Sequence, residues 1–315
     1  MVTKISNKQA ICEKLIEEGK TDKDIIVLTS DSRGSSSMGK FAQTLPQQFI
    51  EMGIAEQNLV GQAAGLAAEG KKPFVASYAA FLTMRSLEQI KVDIAYSNVP
   101  VKIIGISGGV SYGPLGMSHH SLQDIAATRA IPNLEIFMPA DHHESRALIS
   151  KLIDYDKPVY VRVERNAVPE IYESENIEFE IGRSVTLMKG ESAAIIACGR
   201  MVYTALKSAK ILQKEGINCR VINMRSLKPL DQEAIIKAAR ETGKILTLEE
   251  HSIYGGLGSA VAETVTQNHP CQLKILGLPD QPIVAGSPDE IFAHYGLDVE
   301  GVIKQIKILL GNYSK

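Results

Sequence analysis

The feature that most constrains the fold of this chain is a regular alternation of short apolar runs with amphipathic segments. The runs 25–31, 73–81 and 101–109 have the length and composition of buried parallel strands. Segment 86–97, between two of them, places its apolar residues at helical spacing. Repeated units of this kind predict an α/β fold, in which mostly parallel sheets are flanked by helices.

A polar stretch divides the pattern into two parts. Residues 166–192 interrupt the alternation, and we interpret them as a connecting segment with room for a short hairpin. The strand–helix pattern then restarts, and a length of 315 residues suits two domains of ordinary size. We therefore predict one domain at 1–180 and a smaller one at 190–315.

Composition and charge exclude several classes of protein. The chain is 44% apolar and 22% charged with a net charge of −2, so it lacks the basic character of a nucleic-acid-binding or membrane-surface protein. Its four cysteines form no CxxC pair, which argues against a zinc site or a disulfide framework. The N-terminus has no apolar signal core, and no apolar run reaches the ~18 residues of a membrane span. We expect a cytoplasmic protein without metal-binding residues of its own.

Glu56 stands where a predicted strand, FIEMGI, passes into a helix rich in small residues. A lone glutamate at such a junction is most often exposed and complements the helix dipole. Here Ala63, Ala64 and Ala67 would let the helix pack closely, so that the carboxylate becomes partly buried. A buried carboxylate that finds a donor suits proton exchange with a nitrogen base, and both interpretations stay open at this point.

Further candidates lie at the ends of the predicted strands. Asp31, Tyr78, Phe81, Ser107 and Arg165 all fall there. Because parallel sheets bind ligands at the carboxyl ends of their strands, these residues are expected on one rim.

A glycine-rich loop, 109–118, precedes His119 and His120. Two adjacent histidines on a helix cannot both face one point, so a metal pair is not expected from them. One of the two facing a pocket would serve as a polar or acid–base group.

Taken together, several segments resemble the C-terminal half of transketolase, in the order found in that family and over nearly the whole chain. The segments that carry the resemblance are KQAICEKL, FIEMGIAEQNLVGQAAGLA, SYAAFLTMRSLEQIKVDIAYSN, SHHSLQDIA, RAIPNLEIFMPAD, VRVERN, VINMRSLKPLD and EEHSIYGGLGSAVAE. The family's N-terminal half, with its GDG motif and downstream Asn, is missing. The resemblance implies a pyrimidine-binding domain, a transketolase C-terminal domain and the cofactor thiamine diphosphate.

It also implies a partner chain. In this family the missing half holds the diphosphate with Mg²⁺ or Ca²⁺, so a separate N-terminal subunit is expected, in an α2β2 assembly.

The resemblance gives Glu56 a specific role. The matching glutamate bonds the ring nitrogen of the cofactor's aminopyrimidine and thereby favours the tautomer that activates the thiazolium carbon. Phe81 matches the aromatic residue that stacks on the pyrimidine, and Tyr78 matches a second aromatic of the pocket, although core packing alone would also explain both. Asp31 matches a strand-end carboxylate near the thiazolium.

Four other residues match the family's substrate site. His119 matches a histidine that contacts the donor sugar near its reacting carbonyl, and Arg165 matches an arginine that binds the distal phosphate. Ser35 matches a serine on the phosphate path. Lys8 stands where the family usually has an arginine, so a point charge would replace a bidentate fork.

Two further positions depart from the family pattern. The loop reads GPLG where many transketolases have GEDG, so Leu115 replaces an aspartate that touches a sugar hydroxyl. Ser107 replaces a histidine of the substrate channel. An apolar group leaves that hydroxyl unpaired, which predicts a modified sugar substrate that is branched, deoxygenated or sulfonated.

The sequence thus predicts the C-terminal subunit of a split transketolase that transfers a two-carbon ketol group from a ketose to an aldose. Three alternatives remain: half of a deoxyxylulose-phosphate synthase-like enzyme, the beta subunit of a 2-oxo-acid dehydrogenase, and a non-catalytic assembly subunit.

Overall fold

The structure is a computed structural model that describes residues 4–173 and 177–311. Its strands are β1 (Lys4–Ile5), β2 (Ile25–Thr29), β3 (Phe49–Glu51), β4 (Lys72–Tyr78), β5 (Lys102–Ile106), β6 (Glu135–Phe137), β7 (Val159–Arg162), β8 (Val168–Pro169), β9 (Val185–Met188), β10 (Ala193–Ala197), β11 (Cys219–Asn223), β12 (Ser226–Lys228), β13 (Lys244–Ser252) and β14 (Gln272–Leu278).

The helices alternate with these strands. They are α1 (Asn7–Gly19), α2 (Gly39–Thr44), α3 (Glu56–Ala68), α4 (Ala79–Arg85), α5 (Leu87–Gln89), α6 (Asp124–Arg129), α7 (His142–Leu152), α8 (Met201–Lys214), α9 (Gln232–Thr242), α10 (Leu257–Asn268), α11 (Pro288–Tyr295) and α12 (Val299–Leu309). A π-helical segment, Ile90–Tyr96, continues α5, and 3₁₀ turns form at Pro46–Gln48 and Gly113–Ser118.

Two sheets organise the described residues. The first has the strand order β12-β6-β7-β5-β4-β2-β3, and all of its pairs are parallel except β12 with β6. The second has the order β14-β13-β10-β11-β9 and is parallel except for the edge strand β9. The prediction of an α/β fold with mostly parallel sheets is confirmed.

One apolar core runs from sheet to sheet. It packs Leu59 and Ala63 of α3 against Val75 of the first sheet, and continues to Ile196 and Val261 of the second half. Because both sheets share this cluster, the two halves are packed against each other. The boundary at 180–190 stays a prediction, since β12 of the second half pairs with the first sheet.

The structure differs from the sequence prediction in three details. The strand predicted to reach Phe81 ends at Tyr78, and Phe81 lies in helix α4. The strand before Glu56 is a half-exposed edge strand rather than a buried one, because only β2 pairs with it. Within the described part of 166–192, β8 and β9 pair with distant strands and not with each other, so they form no hairpin; residues 174–176 lie outside the described residues.

A buried arginine connects the two halves. Arg162, at the end of β7, donates to the carboxylate of Asp124 at 2.8 Å, to the carbonyl of Ser121 at 3.1 Å and to the carbonyl of Glu250 in β13 at 2.8 Å. Burial opposes its charge, but the carboxylate of Asp124 raises the pKa of Arg162. The hydroxyl of Tyr160 donates to the same carboxylate at 2.6 Å.

Among the described residues, no helix is long and apolar enough to cross a membrane.

We expect Arg162→Met to destabilise the protein by about 3–5 kcal/mol, because it leaves the carboxylate of Asp124 buried without its ionic partner. Urea unfolding measures the change. Arg146→Met is the matched control: Arg146 pairs with Glu17 at 2.8 Å on the surface, and its loss should cost about 1 kcal/mol or less. Equal effects of the two substitutions would contradict the assigned role of Arg162.

Candidate active site

Several candidate residues follow the carboxyl ends of neighbouring parallel strands. Asp31 comes two residues after β2, and Ser107 directly after β5. Both have a left-handed backbone, with φ of 50° and 58°, a strained conformation that is common at functional sites. The hydroxyl of Ser107 is buried without a hydrogen-bond partner among the described residues. This edge of the sheet therefore holds polar groups that the fold leaves available.

Glu56 is the first residue of α3 and is only 5% exposed. Its carboxylate accepts a hydrogen bond from Nη1 of Arg85 at 3.0 Å, so burial is combined with an ionic partner. The Arg85 guanidinium also lies 4.0 Å from the ring centroid of Phe81. A planar group with N–H donors thus stacks on Phe81 and bonds Glu56 at the same time.

Four rings form a cluster beside this pair. The ring of His119 lies 5.0 Å from Phe81, 5.3 Å from Tyr112 and 6.4 Å from Tyr78, with edge-to-face geometry. Tyr78 and Tyr112 stack at 5.7 Å. The cluster makes an apolar wall with one imidazole on it.

Two cations lie beyond the aromatic cluster. The Tyr78 hydroxyl donates to Oγ of Ser35 at 2.5 Å, and the ammonium of Lys8 donates to the Ser35 carbonyl at 2.6 Å. Arg165 stacks on Tyr112 at 3.9 Å, and its Nη1 is buried without a hydrogen-bond partner among the described residues. Burial, and then the charge of Arg165, lower the pKa of Lys8. Two like charges close together, with Nη1 of Arg165 unused among the described residues, are suited to an anion.

The glycine-rich loop carries His119 into the site. Gly109 has a φ of +63°, and a side chain there would collide with Glu250, so the close approach requires glycine. Glu250 accepts a hydrogen bond from the Val110 amide at 2.8 Å, and burial raises its pKa to about 7. Burial, and then the positive charge of Arg85, lower the pKa of His119, which favours a neutral imidazole at neutral pH. This histidine can accept a proton or a hydrogen bond.

The second histidine and Leu115 have different surroundings. His120 is buried, and its Nε2 lies 3.2 Å from the Gly113 carbonyl, so it is a structural part of the loop. Leu115 lies on the 3₁₀ turn before His119 and is 47% exposed. An apolar side chain at this place presents no hydrogen-bonding group to the space beside it.

Most of the predicted site residues are joined by direct contacts. The connected set is Glu56, Phe81, Tyr78, His119, Ser35, Lys8 and Arg165, in which Arg85 links Glu56 to Phe81 and Tyr112 links Arg165 to His119. Asp31, Ser107 and Leu115 lie on the flanking strand ends and loop, and among the described residues no hydrogen bond, ion pair or ring contact joins their side chains to that set.

Two residues of the site, Arg85 and Tyr112, were not predicted from the sequence. Arg85 follows Phe81 by four residues on α4, and that spacing places two side chains on one helix face. Tyr112 is an aromatic residue inside a glycine-rich loop, a setting where core packing is not the expected role.

The comparisons with known proteins identify the family. The family model "Transketolase, pyrimidine binding domain" matches residues 3–170, and "Transketolase, C-terminal domain" matches residues 182–302. The chain therefore belongs to the transketolase family and corresponds to its C-terminal half, as the sequence predicted.

Relatives and a solved structure agree with this assignment. The chain is 52% identical to one of the subunits of apulose-4-phosphate transketolase from Phocaeicola vulgatus, over 95% of this chain and 96% of the relative. It is 36% identical to a 6-deoxy-6-sulfo-D-fructose transketolase subunit of a Clostridium species, over 92% and 90%. A split-gene transketolase, solved as an inactive β4 tetramer, is similar with a TM-score of 0.90 and 39% identity, over 98% of this chain and 100% of that chain.

We expect Glu56 and Arg85 to be energetically coupled. A double-mutant cycle with Glu56→Gln and Arg85→Met, followed by urea unfolding, should give a coupling energy of about 1 kcal/mol, since Arg85 is half exposed and solvent screens the pair.

The exposed pair Lys71–Asp24, at 2.7 Å, is the control for this cycle and should couple by about 0.5 kcal/mol or less. A coupling of zero between Glu56 and Arg85 would show that the ion pair does not hold this end of the site.

Proposed function

We propose that this chain is the C-terminal subunit of a split, thiamine diphosphate-dependent transketolase, which transfers a two-carbon ketol group from a ketose to an aldose. The observation that carries the proposal is one line of contacts. It begins at the buried carboxylate of Glu56, passes along the aromatic cluster and ends at Lys8 and Arg165. A cofactor ring needs the carboxylate, a reacting carbonyl needs the aromatic cluster with its imidazole, and an anionic tail needs the two cations, in this order along the site.

The residues near Glu56 fit the aminopyrimidine of the cofactor. The planar Arg85 guanidinium, which stacks on Phe81 and donates to Glu56, supports a place there for a flat ring with a polar edge. When bound, thiamine diphosphate supplies a nucleophilic carbon and stabilises the carbanion that ketol transfer requires. Glu56 would hold the ring nitrogen, Phe81 and Tyr78 would orient the ring, and Asp31 would face the thiazolium side.

The other end of the site suits a sugar bearing an anion. Lys8 and Arg165 would bind that anion, and Ser35 would add its hydroxyl, which already accepts from Tyr78. His119, between the two ends, would accept or donate a proton at the oxygen of the reacting carbonyl. Because the pKa of His119 is lowered, it enters the reaction as a base or a neutral hydrogen-bond partner.

A partner subunit would complete the site. This chain has no GDG motif to hold the diphosphate and its Mg²⁺ or Ca²⁺, so those groups would come from an N-terminal subunit in an α2β2 assembly. Exposed apolar side chains support a contact surface around Glu56: Ile54 is 75% exposed just before α3, Met84 lies on α4 and Val92 on the π-helical segment. We expect the assembled enzyme in the cytoplasm.

The substrate would be a modified sugar phosphate, with apulose 4-phosphate as the first candidate. The 52% identical relative is named for that compound, and a second relative for a deoxy-sulfo sugar. The exposed Leu115 supports a donor without a hydroxyl to pair at this position. Ser107, whose hydroxyl has no hydrogen-bond partner in the part of the chain that the structure describes, would accommodate a group that a histidine would exclude.

We expect Glu56→Gln to lower kcat/KM for ketol transfer by about 100-fold or more in the complex reconstituted with the N-terminal subunit, because an amide cannot exchange the proton. A coupled sugar assay measures the rate, and size-exclusion chromatography verifies assembly. Glu300→Gln, on an exposed position of α12, is the matched control and should keep the rate.

The outcomes of that assay separate the alternatives. An unchanged rate in Glu56→Gln would favour a non-catalytic assembly subunit. Turnover of pyruvate with an aldose phosphate would favour a deoxyxylulose-phosphate synthase-like enzyme, and transfer to a lipoyl-bearing partner would favour a 2-oxo-acid dehydrogenase.

We expect Leu115→Asp to shift the ratio of kcat/KM for xylulose 5-phosphate over apulose 4-phosphate by about tenfold towards xylulose 5-phosphate, since the carboxylate restores a partner for a sugar hydroxyl. Leu115→Met keeps an apolar group and should keep the original preference. The modified-sugar proposal fails if the unaltered enzyme already prefers xylulose 5-phosphate and ribose 5-phosphate.

A further inference from the structure

Two histidines and a glutamate converge at the start of α7. His142 and His143 are the first two residues of that helix, and their ring centroids are 3.8 Å apart. Nε2 of His142 lies 3.7 Å from Oε1 of Glu170, and Nε2 of His143 lies 3.9 Å from the same oxygen. One ligand atom from each of the three residues lies within 4.8 Å of the other two.

The backbone around the cluster is fixed by Asp141. Its carboxylate caps α7 by accepting from the Glu144 amide, and it also accepts from the amides of Ile171 and Tyr172 at 2.8 and 2.9 Å. Glu170 directly precedes Ile171. The aspartate that caps α7 therefore also positions the backbone next to Glu170, close to the start of that helix. The convergence is therefore imposed by the fold and does not depend on a flexible side chain alone.

The distances from the two histidines to Glu170 are close to those between ligands of one metal ion. Hydrogen bonds between nitrogen and oxygen have lengths of about 2.7–3.2 Å, and both distances to Glu170 exceed this range. Bonds of about 2.0–2.2 Å around a tetrahedral ion would place neighbouring ligand atoms about 3.3–3.6 Å apart. Contraction by a few tenths of an ångström would bring Nε2 of each histidine to that distance from Oε1 of Glu170.

We propose that His142, His143 and Glu170 form a binding site for a divalent late first-row metal ion, with Zn²⁺ as the representative ion. Imidazole nitrogens with one carboxylate are a donor set that suits zinc. The two histidines are buried and Glu170 is about one-third exposed, so a fourth position faces water. The carboxylate also offsets the positive end of the α7 dipole.

Such an ion would fasten α7 to the segment that leads from the first sheet to the second. Glu170 directly follows β8, while α7 packs on the face of the first sheet that also carries α1. A bound ion would therefore restrict the start of the connection between the halves and stabilise the folded chain by binding it preferentially.

The test is a calorimetric titration of the untagged, full-length chain with ZnCl₂ after removal of metals by a chelator. We expect one Zn²⁺ per chain with a dissociation constant in the micromolar range, and a rise in the thermal midpoint on adding Zn²⁺. Titration with Co²⁺ should give the intense ligand-field absorption of a tetrahedral site.

Variants assign the binding to these residues. Glu170→Gln and His143→Ala should each weaken Zn²⁺ binding by about tenfold or more and remove most of the thermal shift. Glu173→Ala and His294→Ala, at exposed positions, should bind like the parent. Absence of binding by the parent chain, or binding that both site variants retain, would overturn the proposal.

Discussion

The arrangement of the whole molecule depends on one buried guanidinium, that of Arg162. It reaches three acceptors that belong to different parts of the chain: the carboxylate that begins α6, the carbonyl just after the His119 loop, and a carbonyl of β13 in the second half. A buried charge is tolerated only when its donors are paired, so these parts cannot move independently. Because Arg162 bonds both Ser121, two residues after His119, and Glu250 of the second half, the packing of the two halves helps to fix the position of His119.

The candidate site has opposite electrostatic requirements at its two ends. At one end, the buried carboxylate of Glu56 pairs with Arg85. At the other end, Lys8 and Arg165 bring two cations close together, and Nη1 of Arg165 has no hydrogen-bond partner among the described residues. The aromatic wall between them separates the charges by apolar surface, so neither end neutralises the other. A site of this kind selects a ligand with a polar ring edge at one end and an anion at the other.

The sequence predicted much of this arrangement because the chemistry-bearing residues follow strand ends. Parallel strands bring their carboxyl ends to one edge, so the strand-end positions of Tyr78 and Arg165 already placed them on a common rim. Phe81 reaches the same rim from the first turn of α4 instead of from a strand. Tyr112 was not predicted because its stacking with Arg165 joins the glycine-rich loop to the segment after β7. Arg85 was not predicted because its hydrogen bond to Glu56 joins α4 to α3, although its contact with Phe81 lies within one helix.

The convergence of His142, His143 and Glu170 also could not be inferred from the sequence, because adjacent residues of a regular helix diverge. Asp141 caps α7 and also accepts hydrogen bonds from the two amides after Glu170. Asp141 therefore places Glu170 opposite the two histidines.

By itself, the sequence determined the alternation of strands and helices and the family to which the chain belongs, because these follow from local periodicity and from motifs in a fixed order. Only the tertiary structure decided that Glu56 is buried against Arg85, that β3 is an edge strand and that β12 crosses from the second half to the first sheet. Burial and pairing of this kind depend on contacts between segments that are far apart in the chain. Local sequence patterns do not reveal such contacts.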